Sequence, residues 1–123
     1  MNKKELIRAY KQTRRPMGVY RVHNTGNGWS LVGRSVDLPS ILNRERAALR
    51  FGAHSNAALQ RDWDTLGPDV FVFEVLDTLT PPDEQPDYDP TEDLRVLEAL
   101  WLERLDASGS LGYSARPGVR AGR

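Results

Sequence analysis

Apolar residues recur at two spacings along this chain, one helical and one alternating, and the changes between them divide it into elements. Leu6, Ile7 and Tyr10 fall at helical spacing among Lys3, Lys4, Arg8 and Lys11, which predicts a short basic amphipathic helix over residues 3–11. Residues 17–23 and 29–34 are rich in β-branched and aromatic side chains. The intervening Asn24-Thr25-Gly26-Asn27-Gly28 is dense in residues that accept positive φ, so the two runs predict an antiparallel hairpin. Asp37 is placed to cap the next helix, with Pro39 tolerated in its first turn. Leu38, Ile41, Leu42, Ala48 and Leu49 make the apolar face of that helix, Arg44, Arg46 and Arg50 lie on or beside the other side, and Gly52 ends it. Ser55 is expected to open a second helix carrying Ala58, Leu59 and Trp63, closed by Gly67-Pro68. Residues 70–76 are the most strand-like run of all.

Residues 78–93 combine four prolines with a run of acidic side chains, the composition of a surface linker. Asp89-Pro90-Thr91-Glu92 then reads as a helix start, with Asp89 as the cap, Pro90 in the first position and Glu92 at capping-box spacing. The helix runs to about Asp106. The order α, β, β, α, α, β, α predicts an α+β fold: a small three-stranded antiparallel sheet flanked by helices, with an extra N-terminal basic helix. The expected divisions are a basic helical extension over 1–16, one domain over 17–114 and a basic tail over 115–123.

Composition narrows the chemistry. A length of 123 residues suits one domain. The absence of cysteine excludes disulfides, thiolate zinc sites and a cysteine nucleophile, and two histidines do not build a multi-histidine metal site. Neither a Walker-type loop nor a glycine-rich dinucleotide turn is present, so no organic cofactor is expected. No apolar run approaches the ~20 residues of a membrane span, and the polar start is unlike a signal-peptide core, which points to a cytoplasmic protein. The net charge of zero hides a polarity. Residues 1–61 hold 12 Lys and Arg against 3 Asp and Glu, whereas residues 62–106 hold 2 against 14. Such asymmetry suits a polyanion partner for the basic half, or two halves that neutralise each other across one domain.

One position conflicts with its surroundings. Leu94, Leu97, Trp101 and Leu105 form a stripe at helical spacing, and Glu98 sits inside it. A carboxylate on a core-facing stripe is costly unless it is paired, holds a metal or escapes to solvent at the stripe's edge. Tyr20 lies mid-strand, where a packed aromatic is ordinary, and His54 precedes a helix, where a capping or surface role is ordinary. If the chain does chemistry, the residues leave metal-assisted hydrolysis with a hard, oxygen-ligated ion on Glu98.

Gly18-Val19-Tyr20, then Asn24-Thr25-Gly26-Asn27-Gly28, then Leu31-Val32-Gly33 resemble the paired signature of the GIY-YIG nuclease superfamily. The order continues through Ser35-Val36-Asp37-Leu38, residues 49–56, residues 59–63, the strand-like residues 71–76, Leu97-Glu98 with Trp101, and Gly112-Tyr113. The resemblance implies phosphodiester hydrolysis with one divalent metal, usually Mg²⁺, acting on DNA, with RNA left open. By it Tyr20 is the candidate base or proton relay, Glu98 the metal ligand and His54 an auxiliary acid or phosphate contact. Lys3, Lys4, Arg8, Arg14, Arg15, Arg34 and Arg46 are the expected nucleic-acid contacts. The chain departs from the family pattern at four positions: Leu31 replaces the second-motif tyrosine, Ile41 the helix arginine, Glu45 a histidine and Ser114 an asparagine. Arg44, one turn from Ile41, and Arg34, after the second strand, are the two candidate replacements for the arginine. The alternatives to an endonuclease are a non-catalytic nucleic-acid-binding module and a protein-interaction domain.

Overall fold

The computed structural model describes residues 2–5, 15–82, 85 and 87–114. Strand β1 (Met17–Asn24) leads through the Asn/Gly loop into β2 (Ser30–Ser35). Helices α1 (Leu38–Arg50) and α2 (Ala57–Leu66) follow, then a 3₁₀ turn (Pro68–Val70), strand β3 (Phe71–Leu79) and helix α3 (Thr91–Ala107). The sheet is antiparallel in the order β2-β1-β3, so the expected α+β architecture stands with β1 at its centre. Of the expected basic helix, residues 3–5 are helical and residues 6–11 lie outside the described part, as do Arg8 and Arg14 and the tail 115–123.

A central strand must bury both its faces, and β1 does so by alternation. On one side Val22 packs with Leu49 of α1, Leu59 and Trp63 of α2, Phe71 and Tyr113. On the other Val19 packs with Val32, Leu105 and Leu111, and Leu97, Trp101 and Leu102 of α3 close over them. The amphipathic stripe of α3 is thus a core face, and the Trp101 indole N–H donates to Asp77 Oδ2 at 3.1 Å, so its polar end is satisfied.

The local signals hold at one helix start and shift at two others and at both ends of β3. Asp37 caps α1 as expected, accepting the Ser40 N–H. The cap of α2 is Asn56 rather than Ser55, its side chain accepting from Leu59 N–H. At α3 the cap position is Pro90. Asp89 stands one residue earlier and accepts both the N–H and the hydroxyl of Thr91, while Glu92 turns to Arg95 instead of closing a capping box. Strand β3 begins at Phe71 because Pro68 imposes the 3₁₀ turn, and it runs to Leu79, into the segment expected to be linker.

The hairpin loop is tied to the far end of the chain by a buried polar set. Asn24 is fully buried; its Oδ1 accepts the N–H groups of Gly26 (2.8 Å) and Asn27 (3.3 Å), and its amide donates to the Tyr113 hydroxyl (2.9 Å), which donates in turn to Asp62. Trp29 meets Tyr113 edge-on with ring centroids 5.4 Å apart. Removing Asn24 orphans several buried groups at once, so Asn24→Ala should lower the unfolding free energy by about 2 kcal/mol or more, and Tyr113→Phe by about 1 kcal/mol. Urea denaturation measures both, and wild-type stability in Asn24→Ala would show that this set does not hold the loop.

Candidate active site

The site is built where the tyrosine of β1 meets the end of β2. Tyr20 pairs with Gly33 across the hairpin. A Cβ on residue 33 would stand 2.5 Å from the Tyr20 hydroxyl, so only glycine leaves room for the ring to lie over β2. On the β3 side the register slips between Val19, opposite Asp77, and Tyr20, opposite Val75, so Leu76 is the extra residue of a bulge in β3 beside the tyrosine. Gly18, at the same place, has no space for a Cβ, which would fall 2.0 Å from the Asp77 carbonyl oxygen.

Helix α1 brings Arg44 and Glu45 to this ring. The Tyr20 hydroxyl donates to Glu45 Oε1 at 3.4 Å, and Glu45 Oε2 lies 2.5 Å from His54 Nε2. His54 stands between α1 and α2, its side chain only 5% exposed and that of Glu45 15%. The imidazole is fixed from behind: Nδ1 accepts the Asn56 N–H at 3.0 Å, and the His54 N–H donates to Gln60 Oε1 at 3.0 Å. A ring that accepts at Nδ1 carries its proton on Nε2, so the hydrogen bond runs from His54 to Glu45.

Tyr20 is 6% exposed, and burial is the main reason its phenol is pushed well above the usual tyrosine range. The Glu45 carboxylate adds to this by its charge and its hydrogen bond, and Glu98 adds by charge, while Arg44 opposes them. Arg44 and Glu98 therefore both lie within electrostatic reach of the hydroxyl. Glu98, 18% exposed, gives one carboxylate oxygen to Arg34 at 2.6 Å. The ion pair named as one solution for a carboxylate on that stripe is thus present.

The remaining basic residues divide. Lys3 and Lys4 are exposed. Arg15 pairs with Asp37 at 3.3 Å, and the Arg46 guanidinium lies over the Phe73 ring, 4.6 Å from its centroid, so both are partly engaged within the chain. Arg44, Arg50 and Arg61 are exposed and make no ion pair among the described residues. The two halves of opposite charge do meet, at Arg34–Glu98 and at Arg21–Glu74 (2.5 Å).

Among the described residues no three His, Asp or Glu gather in a way that holds a metal ion, which removes a multi-ligand site for Zn²⁺ or Ca²⁺. Mg²⁺ asks less: it is held by one or two carboxylates and completes its shell with water and substrate phosphate. With one oxygen on Arg34, Glu98 retains a second as donor, and it fits that demand. No described helix is long and apolar enough to cross a membrane.

No family model matches the chain, and no curated protein is significantly similar to it in sequence. Two solved structures are similar to it in fold. The catalytic domain of homing endonuclease I-TevI superposes with a TM-score of 0.63 at 26% identity, over 80% of this chain and 96% of that one. A mutant of the same catalytic domain, described as that of an intron endonuclease, gives 0.61 at 24% identity over 78% and 90%.

The fold is that of the GIY-YIG nucleases. Measured against the GIY-YIG pattern, the four departures have structural occupations. Leu31 packs against the core between the sheet and the helices α1 and α2. Ile41 is half-buried on α1, one turn before Arg44. The Ser114 hydroxyl accepts the Val32 N–H at 2.7 Å and so satisfies the outer edge of β2. Glu45 is the fourth, and it is the residue that joins Tyr20 to His54. Sequence reasoning recorded it only as a missing histidine. Its signal was its isolation, since it is the sole acidic residue between Asp37 and Asp62.

Tyr20 and Tyr113 are both pushed up, each chiefly by burial, and Tyr113 also by its bond to Asp62. The unfolded chain releases these protons near pH ~10, whereas the folded chain keeps them. Their contribution to stability is complete below that pH and is lost as pH rises toward ionisation in the folded state. Urea midpoints should stay level to about pH 9 and fall above about pH 10, with a smaller fall in Tyr20→Phe. An equal fall in that variant would show an unperturbed phenol.

Proposed function

We propose that this domain hydrolyses phosphodiester bonds in DNA with the help of Mg²⁺. The observation that supports the reading is the meeting, on a nuclease fold, of a buried phenol, a carboxylate at Glu98 with one oxygen on Arg34 and one left over, and an exposed Arg44 that makes no ion pair among the described residues. Glu98 is the residue that holds the cation. When bound, the cation polarises the phosphate and lowers the pKa of coordinated water. Tyr20 orients the attacking water through its hydroxyl. Arg44 meets the charge that builds on the phosphoryl oxygens, the task left open by Ile41. Arg34, released from Glu98, is the second guanidinium in reach of the same charge.

Slow, Mg²⁺-dependent nicking of supercoiled DNA is the expected activity. Glu98→Ala and Arg44→Ala should each reduce it by roughly 10²-fold or more, in line with the loss of a group that stabilises developing charge. Nicking that survives Glu98→Ala would remove the metal site. One reading competes, a binding module that kept the fold, and the Arg34–Glu98 pair together with Leu31 and Ile41 favours it. It becomes the reading to keep if the wild type cleaves with neither Mg²⁺ nor Mn²⁺ yet binds DNA, and binds it as well in Glu98→Ala.

Binding has its own signature. Phosphate contacts from Lys3, Lys4, Arg8, Arg14, Arg15 and the exposed arginines of α1 release counterions, so affinity should fall steeply with salt. Arg14→Ala with Arg15→Ala should weaken binding to all sequences alike and flatten the salt slope by about two. Gel shifts on duplex DNA and on RNA test this and rank the two substrates. No shift at low salt would point to a protein partner instead.

A further inference from the structure

Resting on that reading, the geometry points to Glu45 as the group that receives the proton of the attacking water, by way of the Tyr20 hydroxyl, with His54 as the positioning residue that holds the carboxylate. Three features carry this. Tyr20 directs its hydroxyl at Glu45 Oε1 across 3.4 Å, longer than a strong hydrogen bond, as catalytic contacts often are before substrate binds. Burial and the neighbouring carboxylates Glu45 and Glu98 keep it a phenol, so it cannot wait as a phenolate base and can only take a proton while giving one up. His54 has no vacancy for a proton and none to spare: Nδ1 is filled by the Asn56 N–H, and the proton on Nε2 is spent on Glu45. The chain of donors therefore ends at the one group that accepts from both sides, the Glu45 carboxylate.

The step balances. The water oxygen forms its bond to phosphorus with one of its lone pairs, and the bond from phosphorus to the leaving oxygen breaks with its pair. A water proton passes to Tyr20 Oη as the Tyr20 proton passes to Glu45 Oε1, which becomes a carboxylic acid. The leaving oxygen takes its proton from solvent, and Glu45 returns its own there after product leaves. His54 keeps its proton on Nε2 throughout and fixes Oε2, so that Oε1 stays aimed at the phenol. The charged and titratable groups facing Glu45 are Tyr20 from β1 and His54 from the α1–α2 connection. Arg44 lies beside it on its own helix, and Glu98 of α3 acts across Tyr20.

The test uses the full chain in the nicking assay. Glu45→Gln keeps the shape of the side chain but cannot take the proton. Its kcat should fall on the order of 10²-fold or more with KM for DNA unchanged, and its pH profile should differ from that of the wild type. His54→Ala should lose about tenfold, and His54→Gln, whose amide N–H can still donate to the carboxylate, should recover most of it. A second readout needs no cleavage: tyrosinate absorbance should show Tyr20 ionising at lower pH in Glu45→Gln than in the wild type. Glu45→Gln that nicks at the wild-type rate with the wild-type pH profile, while Glu98→Ala is inactive, overturns the relay and leaves the nuclease reading standing. A wild type that does not cleave at all takes both away. If Glu45→Gln fails to fold, heteronuclear NMR of the His54 ring in the wild type decides, since a proton on Nδ1 overturns the relay and a proton on Nε2 upholds it.

Discussion

Everything at the site depends on a side chain that is not there. Gly33 leaves the surface of β2 bare at one position, and the Tyr20 ring occupies that gap. Without it a strand tyrosine would stand upright from the sheet, and its hydroxyl would miss the helix residue that accepts its proton. The bulge beside Tyr20 and the bare backbone at Gly18 serve the same end from the β3 side, letting the strands close around a ring that is tilted rather than erect. The three glycine and tyrosine positions therefore act as one packing unit, and the contact of Tyr20 with Glu45 is a consequence of that packing.

The second constraint is electrostatic. Two acidic side chains, Glu45 and Glu98, approach one phenol in a half-buried place, and each is balanced by a different kind of partner. A neutral imidazole holds Glu45 by hydrogen bonding alone, which leaves its charge in place. Arg34 meets Glu98 with a full opposite charge. The first arrangement fixes the orientation of a carboxylate, and the second ties one carboxylate oxygen to a guanidinium. The opposite charges of the two halves of the chain thus serve the fold at some pairs, such as Arg21–Glu74, while Arg44, Arg50 and Arg61 are exposed and make no ion pair among the described residues.

Periodicity was enough to read the strands and helices and the apolar stripes that carry Leu49, Leu59 and Leu105, but the two core faces on either side of β1 come from the sheet order. Element ends moved by a residue wherever two polar candidates stood side by side, as with Ser55 and Asn56 or Asp89 and Pro90, since the choice is made by the geometry of the incoming chain. At the site, Tyr20, Glu98 and His54 stood out by residue type and motif. Glu45 did not, because its importance comes from two contacts, to residues 25 positions before it and 9 after, that no local pattern encodes. The same holds for Arg46, which looks like a solvent-facing base in the sequence and stacks on Phe73 in the structure.

The pairing of β1 with β3 and the lock of Asn24 on Tyr113 also set when this molecule can become itself. The first joins residues about fifty positions apart, and the second spans 89. Contacts of that range are closed late, after the entropy of a long loop has been overcome. A ribosome that has made only the hairpin and α1 has already produced Tyr20 and Glu45, yet β1 still lacks one neighbour and the hairpin loop its anchor. Glu98 arrives later, on α3. Tyr20, Glu45 and Glu98 therefore come together only once α3 has been made, and the basic half of the sequence is synthesised before the site is assembled.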